Sequence, residues 1–400
     1  KNALQNIWDR GEIYEDEYEG LYSVSEERFI TEKEYEDGSF KGIKKLKEKN
    51  YFFKMSLYQE KLIKYIKDHP NFIQPESRKN EILGFLQKPL NDLCISRPKS
   101  RLNWGIELPF DKDFVTYVWF DALLNYITAI GWNNDKERFE KWWPANYHLI
   151  GKDILTTHAV YWPIMLMAMK LPLPECIFAH GWWLSDEEKM SKSVGNVVDP
   201  LSLIDEYGTD SVRYFLMRDM VLGNDATFSM DNFIKRYNAD LANDYGNLVN
   251  RVMILINKNF NNKIPEPGDY NNIDLELIAM VKSTTQIIQQ NVEQFRIHEA
   301  LERCISIIRE VNKFLEQKEP WKTIKINSGP KSSAATTLYL SAETVRICSQ
   351  LLHPVMPSKT LKILNIICSK NIKLNNLAFG LLESGKELNE IFTAFPRIET

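Results

Sequence analysis

The sequence predicts two architectures in one chain: a doubly wound parallel α/β sheet, followed by an all-helical bundle. Three short apolar runs, at residues 114–120, 147–151 and 176–180, are typical of parallel strands that are buried on both faces. A helical pattern at residues 154–170 separates the second run from the third, and strand, helix and strand in this order indicate a βαβ unit. From residue 231 onward, apolar residues recur at helical spacing.

The composition fits a chain of two or three packed domains. The 400 residues are 44% hydrophobic, which is enough to bury sizeable cores. The longest apolar runs fall far short of the roughly 18 residues of a membrane span, so we expect no membrane association. Residues 231–400 carry 21 Lys and Arg against 18 Asp and Glu, whereas residues 1–230 are net acidic. A nucleic-acid partner would therefore favour the second half, although ordinary charge scatter also explains the difference.

The five cysteines argue against both a zinc knuckle and a disulfide framework. No two of them lie at a CxxC spacing, and scattered cysteines suit a reducing compartment. We expect most of them to be buried as small hydrophobic side chains. They are Cys94, Cys176, Cys304, Cys348 and Cys368.

Residues 1–92 are predicted to form a mixed α/β domain of their own. Residues 18–24 alternate in the manner of a strand, and residues 36–39 are a turn signal. A polar helical pattern at residues 57–68 ends at His69, because Pro70 follows. We interpret His69 as a helix-end residue and not as a ligand.

The rest of the chain divides into three further segments. Residues 93–195 contain the predicted parallel sheet, and residues 196–230 are expected to bridge it to the bundle through short helices. Residues 231–400 form the predicted bundle, with a break at residues 264–268 and later helices at 274–318 and 333–352. The apolar stripe of its first helix consists of Phe233, Tyr237, Leu241, Tyr245, Leu248 and Val252.

Ligands of open α/β sheets bind beyond the carboxyl ends of the strands. Trp119 and Ala122 would lie at the end of the first predicted strand, and Gly151 at the end of the second. His180 would end the third, within a run at residues 179–184 that we predict to be buried strand. Gly181 leads from His180 into the loop at residues 189–193.

An apolar pocket is one interpretation of this region. Ile154, His158 and Trp162 are spaced to share one helix face. Together with Trp119 they would wall a pocket whose single polar group is His158, which suits a small, mostly apolar ligand. Ordinary core packing explains the two tryptophans equally well. Asp153 would bind a sugar hydroxyl or act as a helix N-cap.

Lys189, Met190, Ser191, Lys192 and Ser193 follow this region as one pentapeptide. Two lysines three residues apart supply compact positive charge, so the loop could close on a polyphosphate. A solvated surface turn is the alternative, because lysine pairs are common.

The pentapeptide is identical to the KMSKS loop of class I aminoacyl-tRNA synthetases, and the chain as a whole resembles the methionyl-tRNA synthetases of bacterial or mitochondrial type. The sequence Tyr-Val-Trp-Phe-Asp-Ala-Leu, the helix pattern that begins Gly-Lys-Asp-Ile, and Ala-His-Gly-Trp-Trp point to the methionine enzyme within that class. The matching stretches are residues 18–25, 51–53, 117–126, 151–162, 179–200, 238–251 and 319–321.

The resemblance implies the second half of a Rossmann-type catalytic domain, an inserted connective domain at residues 1–92, a stem-contact segment at 196–230 and an anticodon-binding helix bundle. It implies a ligase that converts L-methionine and ATP to methionyl-adenylate and then charges tRNA(Met), with ATP and Mg²⁺ as cofactors. We expect a monomer in the bacterial cytoplasm, with the mitochondrial matrix as the alternative location.

Family residues carry over to this chain position by position. The methionine pocket would consist of Trp119, Ala122, Tyr126, Ile154, His158 and Trp162. ATP would be bound by Gly151, Asp153, His180, Gly181, Lys189, Met190, Ser191 and Lys192, of which Lys189 and Lys192 are the implied catalytic residues. The anticodon would be bound by Asn247, Arg251 and Trp321. From the residues alone, the stripe Asp240, Asp244, Asn247 and Arg251 would be an ordinary solvated face.

The sequence departs from the family in two places. No HxGH motif occurs in the chain, so we expect it to hold only half of an active site. Ser23 and Glu26 stand near positions where many relatives have zinc-binding cysteines, so we predict no structural zinc. The alternatives are another class I synthetase, or a non-catalytic tRNA-binding fragment.

Overall fold

The computed structural model describes residues 1–23, 28–30, 35, 43–185, 188–190, 197–367 and 377–399. The chain divides into two compact units, residues 1–180 and residues 181–400. Over these described residues, every helix is too short or too polar to cross a membrane.

Unit 1 contains nine strands in the described residues. They are β1 (Ile13–Ser23), β2 (Arg28–Ile30), β3 (Ile43–Phe53), β4 (Ile73–Gln74), β5 (Leu93–Cys94), β6 (Ser96–Pro98), β7 (Phe114–Thr116), β8 (Tyr147–Gly151) and β9 (Cys176–His180). The long hairpin of β1 and β3 is antiparallel, with β2 and β5 at its edges. The strand predicted at residues 18–24 is thus confirmed up to Ser23, and it begins earlier, at Ile13.

The described residues of unit 1 also form helices. They are α1 (Asn2–Asp9), α2 (Gln59–Asp68), α3 (Glu76–Phe85), α4 (Val118–Leu123), α5 (Asn125–Thr128), α6 (Lys136–Trp142) and α7 (Trp162–Ala168), with 3₁₀ turns at Met55–Tyr58 and Lys152–Ile154 and a π-helix at Thr157–Tyr161. The helix predicted at residues 57–68 is confirmed, and His69 follows it as the C-cap residue.

The strand predicted at residues 114–120 is wrong in length and in type. Phe114–Thr116 pairs antiparallel with β6, and the chain then enters helix α4. Phe120 and Leu123 are buried while Val118 is 51% exposed, which is the pattern of a helix with one face in the core. Short apolar runs of this kind do not distinguish a strand from a buried helix turn.

The parallel sheet of unit 1 has the order β4, β9, β8. Strands β8 and β9 were both predicted, and they are confirmed as neighbours. Burial on both faces is confirmed for β9 but not for β8, whose Tyr147 and Leu149 are 51% and 63% exposed. Strand β4 comes from within residues 1–92, so the sheet draws on both sides of the domain boundary predicted at residue 92.

The chain between β8 and β9 is helical, as predicted. It consists of the 3₁₀ turn, the π-helix and α7, and it ends at Ala168. Trp162 of α7 belongs to the core of unit 1 together with Phe120 of α4 and Phe53 of β3, and all three side chains are 1% exposed or less.

The buried strand predicted at residues 179–184 is wrong, because strand β9 ends at His180 and a separate strand begins at Trp183. Gly181 lies between them. A Cβ atom at Gly181 would come within 2.2 Å of the backbone of Asn224, so the backbones approach each other closely here. The Trp182 amide donates to Asp225 Oδ1 at 2.8 Å.

Unit 2 combines a small sheet with a helix bundle. Its described strands are β10 (Trp183–Ser185), β11 (Glu188–Lys189) and β12 (Ala226–Phe228); β10 is antiparallel to β11 and parallel to β12. Its described helices are α8 (Pro200–Tyr207), α9 (Thr209–Arg218), α10 (Met230–Arg236), the π-helix Tyr237–Gly246, α11 (Asn247–Asn259), α12 (Asn272–Glu293), α13 (Ile297–Lys318), α14 (Pro320–Thr323), α15 (Ser333–Leu352) and α16 (Pro357–Ile366).

The sequence explains where several of these helices begin. Asp199 caps α8 by accepting from the Leu201 amide, and Pro200 occupies the first helical position. Helix α12 starts in a capping box, in which Asn271 and Asp274 bond each other's backbone amides. The predicted helical bundle and the short helices predicted before it are confirmed, whereas the bridging role of the short helices stays a prediction. The apolar stripe is confirmed as core, since all six of its side chains are buried.

Candidate functional site

Helices α4 and α5 place three of the predicted pocket residues on one side. Trp119, Ala122 and Tyr126 are spaced i, i+3 and i+7, and all three are half-buried. The core-facing residues of the same segment are Phe120 and Leu123. Trp119, Ala122 and Tyr126 thus form a partly accessible apolar face above a packed core.

Tyr126 and His158 are joined by a hydrogen bond. The Tyr126 Oη atom lies 2.9 Å from His158 Nε2, and His158 Nδ1 lies 3.0 Å from the carbonyl oxygen of Ile154. Because a carbonyl oxygen only accepts, Nδ1 carries the proton and Nε2 accepts from the tyrosine hydroxyl. Both ring nitrogens of His158 are therefore engaged, and its orientation is fixed.

Trp162 lies behind this pair. Its side chain is fully buried, and its ring centroid is 6.0 Å from that of Tyr126. Trp162 therefore supports the pocket surface from below and is not itself part of the accessible wall. The π-helix interrupts regular spacing between His158 and Trp162, yet both rings still face Tyr126. Helix segments of this type are frequent at functional sites.

His148 is a member of this cluster that the sequence analysis missed. Its Nε2 atom accepts a hydrogen bond from Trp162 Nε1 at 3.2 Å, and its ring centroid is 4.4 Å from that of Tyr126. The alternation of strand β8 was the available signal, because Tyr147 and Leu149 face outward and His148 faces inward.

Both imidazoles in the cluster are neutral near pH 7. Burial and, to a smaller extent, the nearby imidazole of His158 lower the pKa of His148 to about 4. Burial also lowers the pKa of His158, although the hydrogen bond to the Ile154 carbonyl opposes this effect. The cluster thus offers a polarisable, uncharged surface, which suits an apolar ligand.

The carboxyl ends of strands β8 and β9 bring Gly151 and His180 together as a pair. A Cβ atom at Gly151 would lie 2.5 Å from Asp153 Oδ1, so a side chain at this position would displace that carboxylate. Asp153 is exposed in the 3₁₀ turn whose N-cap residue is Gly151. The alternative in which Asp153 is the N-cap is therefore wrong.

Only part of the predicted lysine loop is described. Lys189 ends strand β11, where its backbone pairs with Leu184, and Met190 packs against the apolar cluster around Phe215. Ser191 and Lys192 lie outside the described residues. Gly181 begins unit 2 at the close contact with Asn224.

Helix α11 presents the first two predicted anticodon residues. Asn247 is exposed and Arg251 follows one turn later, so both lie on one face. The Arg251 guanidinium carbon is 5.5 Å from the ring centroid of Trp321, which lies in α14. All three predicted residues therefore come together on one side of the bundle.

Helix α13 supplies two residues that the sequence analysis missed. Arg251 Nη1 lies 3.5 Å from Asn312 Oδ1 and 3.7 Å from Glu316 Oε1. These contacts, together with Trp321, orient the long side chain of Arg251. Nothing in the local sequence of α13 indicates these contacts, because they depend on how two helices pack.

The solvated-face interpretation of the polar stripe is wrong for Asp240, which is fully buried. Arg309 donates to Asp240 Oδ1 at 2.9 Å and to Asp244 Oδ2 at 2.7 Å, and the Tyr214 hydroxyl donates to Asp240 Oδ2 at 2.8 Å. The carboxylate is buried because partners on neighbouring helices satisfy it. Asn247, the third residue of the stripe, is exposed as expected.

The described residues contain no group of three His, Cys, Asp or Glu side chains that could hold a metal ion. Glu26 lies outside the described residues, so the absence of a structural zinc stays a prediction. Cys176, Cys304 and Cys348 are buried, as expected, while Cys94 is half-buried. Cys368 is not among the described residues.

Two regions of the chain match known families. Residues 37–253 match the family described as tRNA synthetases class I (M). Residues 264–399 match the anticodon binding domain of methionyl tRNA ligase. The chain belongs to the class I tRNA synthetases of the methionine type. The resemblance predicted from the sequence is thereby confirmed.

Relatives and solved structures of this family agree with the match. The chain is 45% identical to methionine–tRNA ligase of Clostridium acetobutylicum and 44% identical to that of Clostridium tetani, in each case over all of this chain and 63% of the relative. It thus spans about 63% of the length of these curated relatives.

The structure of Mycobacterium tuberculosis methionyl-tRNA synthetase in complex with methionyl-adenylate superposes with a TM-score of 0.91 at 38% identity, covering 99% of this chain and 79% of that one. A ligand-free structure of the same enzyme also gives 0.91, at 36% identity. The predicted fold class, a Rossmann-like parallel sheet with a helical anticodon domain, is confirmed. The four domain boundaries and the individual site residues stay predictions.

Proposed function

We propose that the protein represented by this chain activates L-methionine with ATP and transfers the methionyl group to tRNA(Met). The likeness to a methionyl-tRNA synthetase bound to methionyl-adenylate, over 99% of this chain, is the observation that carries the proposal. The neutral aromatic cluster around Tyr126 and His158 is consistent with it. A synthetase for another amino acid is disfavoured, because both family matches name the methionine enzyme.

The methionine side chain would occupy the apolar face of helices α4 and α5. Trp119, Ala122 and Tyr126 would contact it, and His158 would orient the tyrosine hydroxyl through its Nε2 atom. Ile154, in the 3₁₀ turn after β8, would line the pocket, and the buried Trp162 of α7 would support it from behind. Shape selects among apolar side chains only modestly, since one methylene is worth about 1–3 kcal/mol in such pockets.

ATP would bind at the carboxyl end of the parallel sheet and at the lysine loop. Gly151 allows close backbone approach at the strand end, and Asp153 is exposed beside it with a carboxylate that suits ribose hydroxyls. His180 and Gly181 follow the neighbouring strand. In the loop, Lys189, Met190, Ser191 and Lys192 would close on the triphosphate.

The reaction needs placement and charge stabilisation rather than a protein nucleophile. A carboxylate oxygen of methionine attacks the α-phosphorus of ATP, the bond to the bridging oxygen breaks, and pyrophosphate leaves. The ammonium groups of Lys189 and Lys192 would stabilise the negative charge of that leaving group. The tRNA 3′-terminal ribose hydroxyl then attacks the methionyl carbonyl carbon and AMP leaves.

Mg²⁺ would accompany ATP as a complex with its phosphates. The described residues form no cluster of three metal-binding side chains, so they do not fit a dedicated protein cage. Mg²⁺ characteristically retains several waters and binds through phosphates in such enzymes.

The anticodon of tRNA(Met) would bind at Asn247, Arg251 and Trp321. Asn247 and Arg251 are one helical turn apart, and the Arg251 guanidinium carbon is 5.5 Å from the ring centroid of Trp321. The amide, the guanidinium and the ring offer hydrogen bonding, charge and stacking on one surface. We also propose that the protein is a monomer. We place it in the bacterial cytoplasm, and its bacterial relatives support this location.

Amino-acid-dependent exchange between ATP and pyrophosphate tests the activation step. The full-length protein should catalyse exchange with methionine, but not with leucine, isoleucine or cysteine. Exchange with a different amino acid would overturn the substrate assignment. No exchange by folded full-length protein would favour the non-catalytic tRNA-binding alternative.

A further inference from the structure

The hydrogen bond between Trp162 and His148 joins a fully buried indole beneath the predicted pocket to a histidine outside the accessible pocket surface. An indole N–H that loses its partner on burial costs free energy, so such groups normally find an acceptor. Here the acceptor is His148 Nε2 at 3.2 Å. His148 is itself only 6% exposed.

We infer that His148 is a positioning residue for the amino-acid pocket, which holds Trp162 and through it the ring of Tyr126. The inference rests on the proposed methionine activation and adds to it a residue outside the accessible pocket surface.

The geometry of the rings supports this chain of contacts. Tyr126 packs against His148 with centroids 4.4 Å apart, and against Trp162 at 6.0 Å. Trp143 packs edge-on against Trp162 at 6.0 Å and lies 6.1 Å from His148. Trp162 is therefore enclosed by rings, and its one polar group points at one acceptor.

The hydroxyl of Tyr126 is held separately by His158, at 2.9 Å. Two imidazoles thus set the position of one tyrosine: His158 by a direct hydrogen bond, and His148 by ring packing and by fixing Trp162. A change at His148 should therefore alter the shape of the pocket without removing a group that contacts ATP.

His148 must present an unprotonated Nε2 to the indole. A side chain that lacks an acceptor at this point leaves the Trp162 N–H unsatisfied in a dry, aromatic environment. The indole would then turn to seek another partner, and the ring of Tyr126 would lose its support.

Two neutral amide variants separate this role from general core packing. The oxygen of glutamine reaches the level of histidine Nε2, whereas the shorter asparagine ends near the level of Nδ1. His148→Gln should therefore keep the hydrogen bond to Trp162, and His148→Asn should lose it. His148→Phe keeps the ring but removes the acceptor.

The test is methionine-dependent exchange by the full-length protein, with KM and kcat measured for methionine and ATP. His148→Phe and His148→Asn should raise the methionine KM by about 10-fold to 100-fold, as expected for an unsatisfied buried donor, while the ATP KM stays within about two-fold. His148→Gln should stay within about three-fold of the parent on both. His353→Gln, a change at a half-buried histidine of unit 2, should match the parent.

A double-mutant cycle assigns the effect to the indole. When Trp162→Phe is also present, the methionine KM values of the His148→Gln and His148→Asn proteins should differ by less than about two-fold. Equal methionine KM values for His148→Gln and His148→Asn would overturn the inference. It would also be overturned if the methionine KM values of these two variants differed by the same factor with Trp162 present and with Trp162→Phe. If His148→Phe does not fold, the amide pair carries the test. Failure of the parent to activate methionine would instead refute the proposed function, and the inference with it.

Discussion

At the scale of single residues, the candidate pocket contains two buried imidazoles, and both are uncharged near pH 7. His148 and His158 are 6% and 3% exposed, and the hydrogen bond from the Trp162 indole requires an unprotonated Nε2 on His148. Protonation of that nitrogen would place a donor opposite a donor. If both rings were cationic they would also repel each other, because their centroids are 6.5 Å apart.

The lowered pKa of His148 predicts a loss of stability in acid. An unfolded histidine takes up its proton near pH 6.5, whereas folded His148 does so at about pH 4. The unfolded state binds more protons between these values, so the contribution of His148 is complete above about pH 6.5 and is lost as the pH falls toward 4. Its size is on the order of 3 kcal/mol.

Urea unfolding of the parent and of His148→Gln, at about pH 5 and about pH 7, measures this contribution. The parent should lose more stability than the variant on acidification, because glutamine does not titrate. Equal losses in the two proteins would show that His148 is not the titrating group.

Lys192 is predicted to act on the leaving pyrophosphate and not on methionine. Lys192→Ala should slow adenylate formation by about 100-fold or more, the usual loss when one charge-stabilising group is removed, while equilibrium methionine binding changes little. Rapid-quench measurement of adenylate and fluorescence titration with methionine separate the two. Lys282→Ala, at an exposed position of helix α12, is the matched control. Parental activation rates in Lys192→Ala would exclude the role.

At the scale of elements, helix α11 and the short helix α14 create the predicted anticodon surface. Arg251 connects them, since its guanidinium lies over Trp321 and also faces Asn312 and Glu316 of α13. A guanidinium that is already oriented loses less freedom when it binds a base or phosphate.

Trp321→Ala should lower kcat/KM for tRNA(Met) by roughly 10-fold to 100-fold, because stacking on a base is worth about 1–3 kcal/mol. Methionine-dependent exchange without tRNA should not change. Trp104→Ala, which removes a tryptophan that is 73% exposed in unit 1, serves as the control for loss of a surface aromatic. An equal loss of exchange activity would indicate a folding defect rather than a tRNA contact.

Elements differ in how well the sequence predicted them. Strand β9 and the bundle helices were predictable, because continuous apolar runs and helical stripes are strong local signals. The helix at Val118–Leu123 was not, since its aromatic and β-branched residues mimic a strand. Spacing alone suggested Ile154, His158 and Trp162 as pocket residues, whereas Tyr126 followed only from the family resemblance. The contacts of His148, Asn312 and Asp240 depend on packing between elements that are distant in sequence.

At the scale of the molecule, each unit has its own core. In the helical unit, the buried Asp240 receives hydrogen bonds from Tyr214 and Arg309, and Arg236 and Arg218 lie 3.6 and 3.7 Å from its Oδ2 atom. The carboxylate thus links helices α9, α10 and α13 to the π-helix. Burial of this charge is tolerated because its partners surround it.

Asp240→Asn should destabilise the helical unit by about 1–3 kcal/mol, because it weakens the buried hydrogen bonds from Tyr214 and Arg309, although the arginines keep other carboxylate partners. Urea unfolding followed by helical circular dichroism measures the change. Asp231→Asn, at an exposed position of helix α10, should have little effect. Similar unfolding midpoints for the two variants would contradict the role of Asp240 as the centre of the ion network.

The proposed activity as a whole is tested most directly by charging of tRNA. Full-length protein, ATP and methionine should produce methionyl-tRNA with tRNA(Met), and a transcript with a changed anticodon should be charged much more slowly. The predicted result is that the protein charges tRNA(Met) with methionine and that the rate of charging depends on the anticodon. Charging with another amino acid, or none by folded protein that binds tRNA(Met), would contradict it.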